Sequence, residues 1–213
     1  MVSGGMIKNI LFDIGSVLLL FDREATVREF SYYSETIPEQ EFTAEHVFLP
    51  ELWLGMETGE ISPCQYYERF KEISGCRISF RHFSLIWAGY FTDSRPMISL
   101  GRTLSRSFMI YFLSNTDPLH IPVLYSRFPD ALFFHGQALS YDLGVLKPEP
   151  EFFERALAKF ALKPSECLFI DDQYQNVQTA RDLGMRAIRH FSPEQSRAEI
   201  ITELERDGIC LEL

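Results

Sequence analysis

The sequence predicts an α/β fold with three layers, in which helices cover both faces of a parallel sheet. Short apolar runs typical of buried strands occur at residues 10–12, 108–113 and 167–170, and each is followed by polar residues. Segments with helical periodicity separate these runs, as expected when crossover helices connect parallel strands. The carboxyl ends of such strands meet at one edge of the sheet, where ligands bind. A functional site is therefore predicted at that edge.

The first apolar run ends in a carboxylate, Asp13, and Gly15 then allows the backbone to turn sharply. An aspartate at the exit of a buried strand can act as a nucleophile and as a metal ligand. It can also simply cap a turn, and this single motif does not separate the two roles. The polar residues at the ends of the other strands decide between them.

The other two runs end in different polar groups. The second leads into Ser114 and Asn115, and the third leads into Asp171 and Asp172. Between them in sequence, Lys147 stands beside prolines that fix the loop before a helix. A carboxylate, a hydroxyl, an ammonium and an acidic pair are the groups that phosphoryl transfer requires. The pattern therefore favours the nucleophile over the turn cap.

The remaining elements are predicted from periodicity and from helix stop signals. Helices are predicted over residues 24–33, 97–107, 151–160, 177–183 and 193–206, and further strands over residues 131–134 and 186–189. From residue 38 to about residue 91 no strand is predicted, and aromatic residues at helical spacing indicate amphipathic helices that pack on each other. Trp53 and Trp87 are expected to pack there rather than to contact a substrate. This stretch is predicted to be a helical insertion between the first two strands.

Composition argues against several classes of protein. The chain has 213 residues, of which 46% are hydrophobic, and this suits one domain of ordinary size with an insertion. Its net charge of −10 comes from 30 acidic and 20 basic residues without a basic cluster, which argues against a nucleic-acid-binding surface.

The sequence also predicts a protein that does not interact with a membrane. No segment approaches the roughly 20 apolar residues of a membrane helix. Residues 1–5 lack the features of a signal peptide and are expected to be without regular structure. The four cysteines lack metal-ligand spacing, so they are expected to be reduced thiols of a cytoplasmic protein.

Taken together, the motifs resemble those of the haloacid dehalogenase superfamily of aspartate-nucleophile hydrolases. The four motifs lie in order at residues 12–17, 113–116 and 147–150, and at residues 170–172 together with Asn176. Residues 59–62, and residues 87–91 ahead of Arg95 and Pro96, resemble the branch that contains bacterial glucose-1-phosphate phosphatases. The resemblance extends from about residue 7 to about residue 191.

The resemblance implies a Rossmann-like core formed by residues 1–18 and 96–213, and a helical cap formed by residues 19–95. A cap of this kind closes over the nucleophile and selects the substrate. The implied partner is a small phosphorylated molecule, with no nucleic acid and no membrane. The oligomeric state is left open between a monomer and a homodimer.

The implied activity is that of a Mg²⁺-dependent phosphatase acting on a small phosphorylated metabolite, such as a sugar phosphate. Asp13 would attack phosphorus and form an aspartyl-phosphate. The Mg²⁺ ligands would be the Asp13 carboxylate, the Gly15 carbonyl and Asp172, with Asp171 either as a further ligand or as a partner of the ligands.

The resemblance implies that three other residues contact the phosphoryl group. Lys147 would neutralise the nucleophile and the phosphoryl group, while Ser114 and the Asn115 backbone would donate hydrogen bonds to it. Asn176 would orient a metal-bound water or Asp172.

The chain departs from the superfamily pattern at Gly15. Most of its phosphatases carry a second aspartate there, which protonates the leaving alcohol, and Asp22 and Asp117 are candidates for that missing acid. Two alternatives therefore stay open. One is a 2-haloacid dehalogenase, although enzymes of that branch carry serines in the place of Asp171 and Asp172. The other is a binding protein that kept the fold and lost turnover.

Overall fold

The computed structural model describes residues 5–210, so the expectation for residues 1–4 lies outside the described part of the chain. In chain order the strands and α-helices are β1 (Asn9–Phe12), β2 (Leu19–Phe21), α1 (Arg23–Ser31), α2 (Pro50–Glu57), α3 (Pro63–Ser74), α4 (Phe80–Trp87), β3 (Phe91–Asp93), α5 (Arg95–Leu104), β4 (Met109–Ser114), α6 (His120–Arg127), β5 (Gly136–Leu139), α7 (Ser140–Leu143), α8 (Pro150–Phe160), β6 (Cys167–Asp171), α9 (Tyr174–Asp182), β7 (Arg186–Arg189) and α10 (Pro193–Glu205).

The central sheet has five strands in the order β5-β4-β1-β6-β7, and all neighbouring pairs are parallel. This confirms the predicted α/β fold. Strand β1 lies in the middle, with Phe12 level with Phe112 of β4 and with Ile170 of β6. Because the three strands run in the same direction and in register, their carboxyl ends emerge side by side.

Helices cover both faces of the sheet because alternate strand residues point to opposite sides. On one face, Ile10 and Phe12 pack in a cluster with residues of α5 and α10. On the other face, Leu11 and Phe169 pack in a cluster with residues of α8 and α9. The strands are therefore buried on both sides, which is why they are continuous apolar runs in the sequence.

Helices α1–α4, with the connections between them, form a separate apolar cluster around Phe83 and Trp87, both fully buried. We call residues 22–90 the helical segment. It leaves and rejoins the rest of the chain through β2 and β3, which pair antiparallel. The sequence analysis predicted neither strand, and the division into core and cap at residues 18/19 and 95/96 stays a prediction.

The strand predicted at residues 131–134 is wrong. A short 3₁₀ turn occupies Pro129–Ala131, and the strand that pairs with β4 comes later, at β5. Phe133 and Phe134 instead pack their rings against Phe112, with centroids 5.4 and 4.6 Å away. An apolar run signals burial, and here the burial is achieved by aromatic packing without strand pairing.

Within residues 5–210, no helix is both long and apolar enough to cross a membrane. The four cysteines, which all lie in this range, are unpaired.

Candidate active site

A buried lysine joins two carboxylates at the carboxyl end of the sheet. Lys147 Nζ lies 2.9 Å from Asp13 Oδ1, at the end of β1, and 2.7 Å from Asp171 Oδ2, at the end of β6. It also donates to the carbonyl of Leu113, at 2.9 Å. The side chains of Lys147 and Asp171 are 1% and 0% exposed. Three predicted site residues from distant parts of the sequence are thus in direct contact.

The charges of this group are coupled. Burial, with a further contribution from Asp171, raises the pKa of Asp13 to about 7 although Lys147 acts in the opposite direction. Burial by itself would lower the pKa of Lys147, but the Asp13 and Asp171 carboxylates outweigh it, so that the pKa is raised. Lys147 therefore holds its positive charge between the two carboxyl groups.

Asp171 is fixed by donors on both oxygens. Besides Lys147, it accepts from the amide of Asn176 at 2.9 and 3.0 Å and from the backbone N–H of Gln173 at 2.8 Å. The sequence analysis expected Asn176 to orient a metal-bound water or Asp172, whereas in the structure its amide contacts Asp171. Of the two roles expected for Asp171, this arrangement favours the partner over the direct ligand.

Asp172 completes a cluster of acidic groups. Carboxylate oxygens of Asp13, Asp171 and Asp172 lie within 4.8 Å of one another. Burial, with the neighbouring Asp171 as a further cause, raises the pKa of Asp172. Three carboxylates face one ammonium, so a divalent cation would offset the excess negative charge. Oxygen donors of this type are those that Mg²⁺ prefers, and the residues present therefore fit such an ion.

Asn115 holds the loop that carries Lys147. Its side-chain amide donates to the carbonyl of Lys147 and its side-chain oxygen accepts from the N–H of Lys147, both at 2.8 Å. Ser114, at the end of β4, is buried beside this contact. The Ser114 hydroxyl donates to the carbonyl of Asn115 at 3.3 Å, a long contact that it would exchange in order to donate to a ligand. The side chain of Asn115 is thus engaged in positioning.

Gly15 follows β1 in an open turn. A Cβ placed on it would meet nothing within 4 Å, and its φ lies outside the left-handed region, which the neighbouring Ser16 occupies with a φ of 58°. The backbone conformation therefore does not require glycine at this position.

The two acids considered as replacements at Gly15 are engaged elsewhere. Asp22 is exposed and caps α1 by accepting from the N–H of Ala25 at 2.9 Å. Asp117 is fully buried, and both of its oxygens already accept hydrogen bonds, including one from Trp87 Nε1 at 2.9 Å.

A small cavity of about 140 Å³ lies at the carboxyl end of the sheet. Its lining includes Gly15, Ser114 and Asn115 and, from α2, Trp53 and Glu57. Sequence reasoning missed Glu57. The signal that could have revealed it is its position four residues after Trp53, which places both side chains on the same face of a helix.

Comparison with known proteins identifies the family of this site. A family model for haloacid dehalogenase-like hydrolases matches residues 7–184. The chain belongs to this family. This confirms the resemblance drawn from the four motifs and makes the protein a hydrolase.

Known proteins are similar to this chain over most of its length. D-ribitol-5-phosphate phosphatase of Bacteroides thetaiotaomicron is 29% identical over 203 residues, which cover 89% of this chain and 93% of the relative. A HAD family enzyme of the same organism has a TM-score of 0.81 at 27% identity, covering 92% of this chain and 99% of that one. A structure of a HAD family enzyme from that organism in complex with magnesium and inorganic phosphate has a TM-score of 0.76 at 27% identity, with coverages of 87% and 94%.

Proposed function

We propose that this hydrolase is a Mg²⁺-dependent phosphatase that cleaves a small phosphate monoester through an aspartyl-phosphate on Asp13. The observation that carries the proposal is the contact of Lys147 with both Asp13 and Asp171 beside a third carboxylate, Asp172. The phosphatase named among the relatives and the magnesium and phosphate complex among the similar structures support the same activity.

Asp13 is oriented for attack through one of its two oxygens. Among the described residues, its contacts with the N–H of Ile14 and with Lys147 Nζ both fall on Oδ1, at 2.8 and 2.9 Å. Oδ2 is thus left to approach phosphorus. The Oδ2–phosphorus bond would form while the ester bond breaks, and water would later cleave the aspartyl-phosphate and release phosphate.

The surrounding groups offset the charge that meets in this step. The ammonium of Lys147 would neutralise the nucleophile and a phosphoryl oxygen together. The Ser114 hydroxyl and the backbone N–H of Asn115 would donate to the remaining phosphoryl oxygens. When bound, Mg²⁺ would supply further positive charge, held by Asp13, the Gly15 carbonyl and Asp172.

The acidic pair at the end of β6 separates this proposal from the dehalogenase alternative. The branch of 2-haloacid dehalogenases carries serines at this motif, whereas this chain places Asp171 against Lys147 and Asp172 beside Asp13. The alternative of a binding protein without turnover rests on Gly15.

The proposal is tested with Asp13→Asn. We expect the variant to stay folded, because Asp171 still pairs with Lys147, and to lose hydrolysis of p-nitrophenyl phosphate and of sugar phosphates in the presence of Mg²⁺. Asp182→Asn is the matched control because Asp182 is exposed at the end of α9. Near wild-type hydrolysis by Asp13→Asn would exclude Asp13 as the nucleophile.

A parallel screen separates the alternatives. The wild-type protein is assayed on sugar phosphates with and without Mg²⁺, and on 2-haloacids. Release of phosphate only with Mg²⁺ supports the proposal, release of halide supports the dehalogenase, and turnover of neither supports the binding protein.

A further inference from the structure

Cleavage of a phosphate ester whose alcohol is a poor leaving group needs a proton donor, and Gly15 supplies none. A general acid typically contributes ~10²–10⁴-fold to such a step. We infer that Glu57, from the last turn of α2, donates the proton to the leaving alcohol. This inference rests on the proposed phosphatase activity and names a further catalytic residue for it.

Glu57 lines the same cavity of about 140 Å³ as Gly15, Ser114 and Asn115. An ester bound through its phosphoryl group at Ser114 and Asn115 would place its alcohol portion in the cavity that Glu57 lines. Gly15, at which most phosphatases of the superfamily carry their second aspartate, belongs to the same lining. The helical segment thus supplies a carboxyl group to the cavity in which the aspartate is missing.

The surroundings of Glu57 allow its carboxyl group to carry a proton in a substantial fraction of molecules near neutral pH. Burial, with the nearby Asp117 as a further cause, raises the pKa of Glu57 to about 7, against the opposing effects of Trp53 and Arg23. The ionisable groups that face Glu57 from the elements packed around it are Arg23 of α1, Tyr66 of α3, Asp117 of the loop after β4 and His120 of α6. A pKa near the operating pH is the condition under which one group can give and take a proton.

Trp53 adds a polar atom to the same wall. Its indole N–H lies close enough to Glu57 to lower the pKa of that carboxyl. Yet Trp53 Nε1 is buried and makes no complete hydrogen bond within the described part of the chain. A buried donor without an acceptor is unfavourable. An arriving hydroxyl group could accept from it and so be held beside Glu57.

The two acids named from the sequence as candidates for this role, Asp117 and Asp22, are engaged elsewhere. Asp117 is fully buried and accepts hydrogen bonds from Trp87, from His120 and from the backbone N–H of Leu119. Asp22 caps α1 in an exposed position. Neither lines the cavity, whereas Glu57 does.

The proton balance of the two steps is closed. As the Asp13 oxygen bonds to phosphorus and the ester oxygen leaves, the proton on Glu57 moves to that oxygen, which yields the free alcohol and the Glu57 carboxylate. In the second step, water attacks phosphorus, its proton moves to the Glu57 carboxylate, and the bond from phosphorus to Asp13 breaks. The sum is ester plus water to alcohol plus phosphate.

The test compares Glu57→Gln with the wild type on two aryl phosphate esters of similar shape. Phenyl phosphate has a leaving group that needs a proton, and p-nitrophenyl phosphate has one that needs little. We expect kcat/KM for phenyl phosphate to fall on the order of 10²-fold and kcat/KM for p-nitrophenyl phosphate to fall less than about threefold. Glu51→Gln is the matched control, since Glu51 is exposed on the same helix.

Two results would overturn the inference. A loss of equal size on both esters would show that Glu57 acts through packing, and no loss on either would show that another group donates the proton. Failure of the phosphatase proposal is distinct from both, because then either the wild-type protein would hydrolyse neither ester in the presence of Mg²⁺ or Asp13→Asn would retain hydrolysis of both esters.

Discussion

The indole N–H of Trp87 donates to Asp117 Oδ2 across 2.9 Å. This bond joins the end of α4, in the helical segment, to the loop that follows β4, in the sheet layer. The ring of Trp87 also stacks on His120, with the ring planes 12° apart, and His120 Nδ1 lies 3.0 Å from the same Asp117 oxygen. One buried carboxylate thus ties the helical segment to the wall of the cavity.

Trp87→Phe tests how much the hydrogen bond from Trp87 to Asp117 contributes to stability. The substitution removes a donor from a buried carboxylate, and we expect the free energy of unfolding to fall by about 1–3 kcal/mol beyond the effect of the smaller ring. Urea titration measures the change. Trp53→Phe is the control, since Trp53 Nε1 makes no hydrogen bond among the described residues. Equal losses in the two variants would mean that the Trp87 hydrogen bond contributes nothing to stability.

Lys147→Met leaves Asp13 and Asp171 facing each other in a buried site. Breaking a buried ion pair from one side destabilises by about 3–5 kcal/mol, so we expect a loss of this size at neutral pH together with loss of turnover. Lys8→Met provides the comparison, because Lys8 also lies 2.9 Å from a carboxylate, that of Glu166, but is 60% exposed. Its loss should stay below about 1 kcal/mol. Chemical denaturation of both variants decides the matter, and similar small losses would contradict the expectation.

Glu57 makes stability depend on pH. Burial, with Asp117, raises its pKa from an ordinary 4.5 to about 7, so the folded protein keeps a proton that the unfolded chain releases in this interval. Stability from this group is therefore present below about pH 4.5 and falls as pH rises to about 7, by on the order of 2 kcal/mol.

Glu57→Gln does not titrate, so it should become more stable relative to the wild type as the pH rises. Unfolding free energies measured at about pH 4.5 and at about pH 8 check this, and Glu51→Gln should show no such change. A constant difference between Glu57→Gln and the wild type at the two pH values would count against the raised pKa.

Gly59 of the helical segment lies close to the backbone of α7. It has a φ of 76°, and an added Cβ would lie 2.5 Å from the carbonyl oxygen of Tyr141. Gly208 has nearly the same φ of 75° but open space around it. We expect Gly208→Ala to lose about 1–2 kcal/mol from backbone strain alone. Gly59→Ala should lose about 1–3 kcal/mol more from the collision. Equal thermal unfolding shifts in the two variants would show that the contact at Tyr141 is loose.

The sequence was informative where residues are buried on both sides. Strands β1, β4 and β6 are apolar runs followed by polar residues, and the parallel arrangement then brings the groups at their ends to one edge. Strands β2 and β3 have three residues each, which is too short for a pattern to develop. The false strand at residues 131–134 arose because aromatic packing and strand pairing produce the same apolar run.

The residues of the candidate site could be predicted from the sequence, but several of their contacts could not. That Asp13, Lys147 and Asp171 meet is a consequence of strand order, but that Lys147 and Asn176 both contact Asp171 depends on distances that spacing does not encode. Glu57 and Gly15 line the same cavity only because the whole helical segment packs as it does. No local pattern around Gly15 therefore indicates Glu57.

The pairing of β2 with β3 gives the chain a natural splice point. Phe21 and Phe91 are partners across this ribbon, and partners in an antiparallel pair have Cα atoms only about 5 Å apart. A turn of two residues spans such a gap. The stretch between them could accordingly be removed, or exchanged for that of a relative, with both cut ends already side by side. Such a transplant would carry Glu57 and Trp53 away while Asp13, Lys147 and Asp171 stayed in place, so under the proposed function it would change the preference for the alcohol and keep the residues that act on the phosphate.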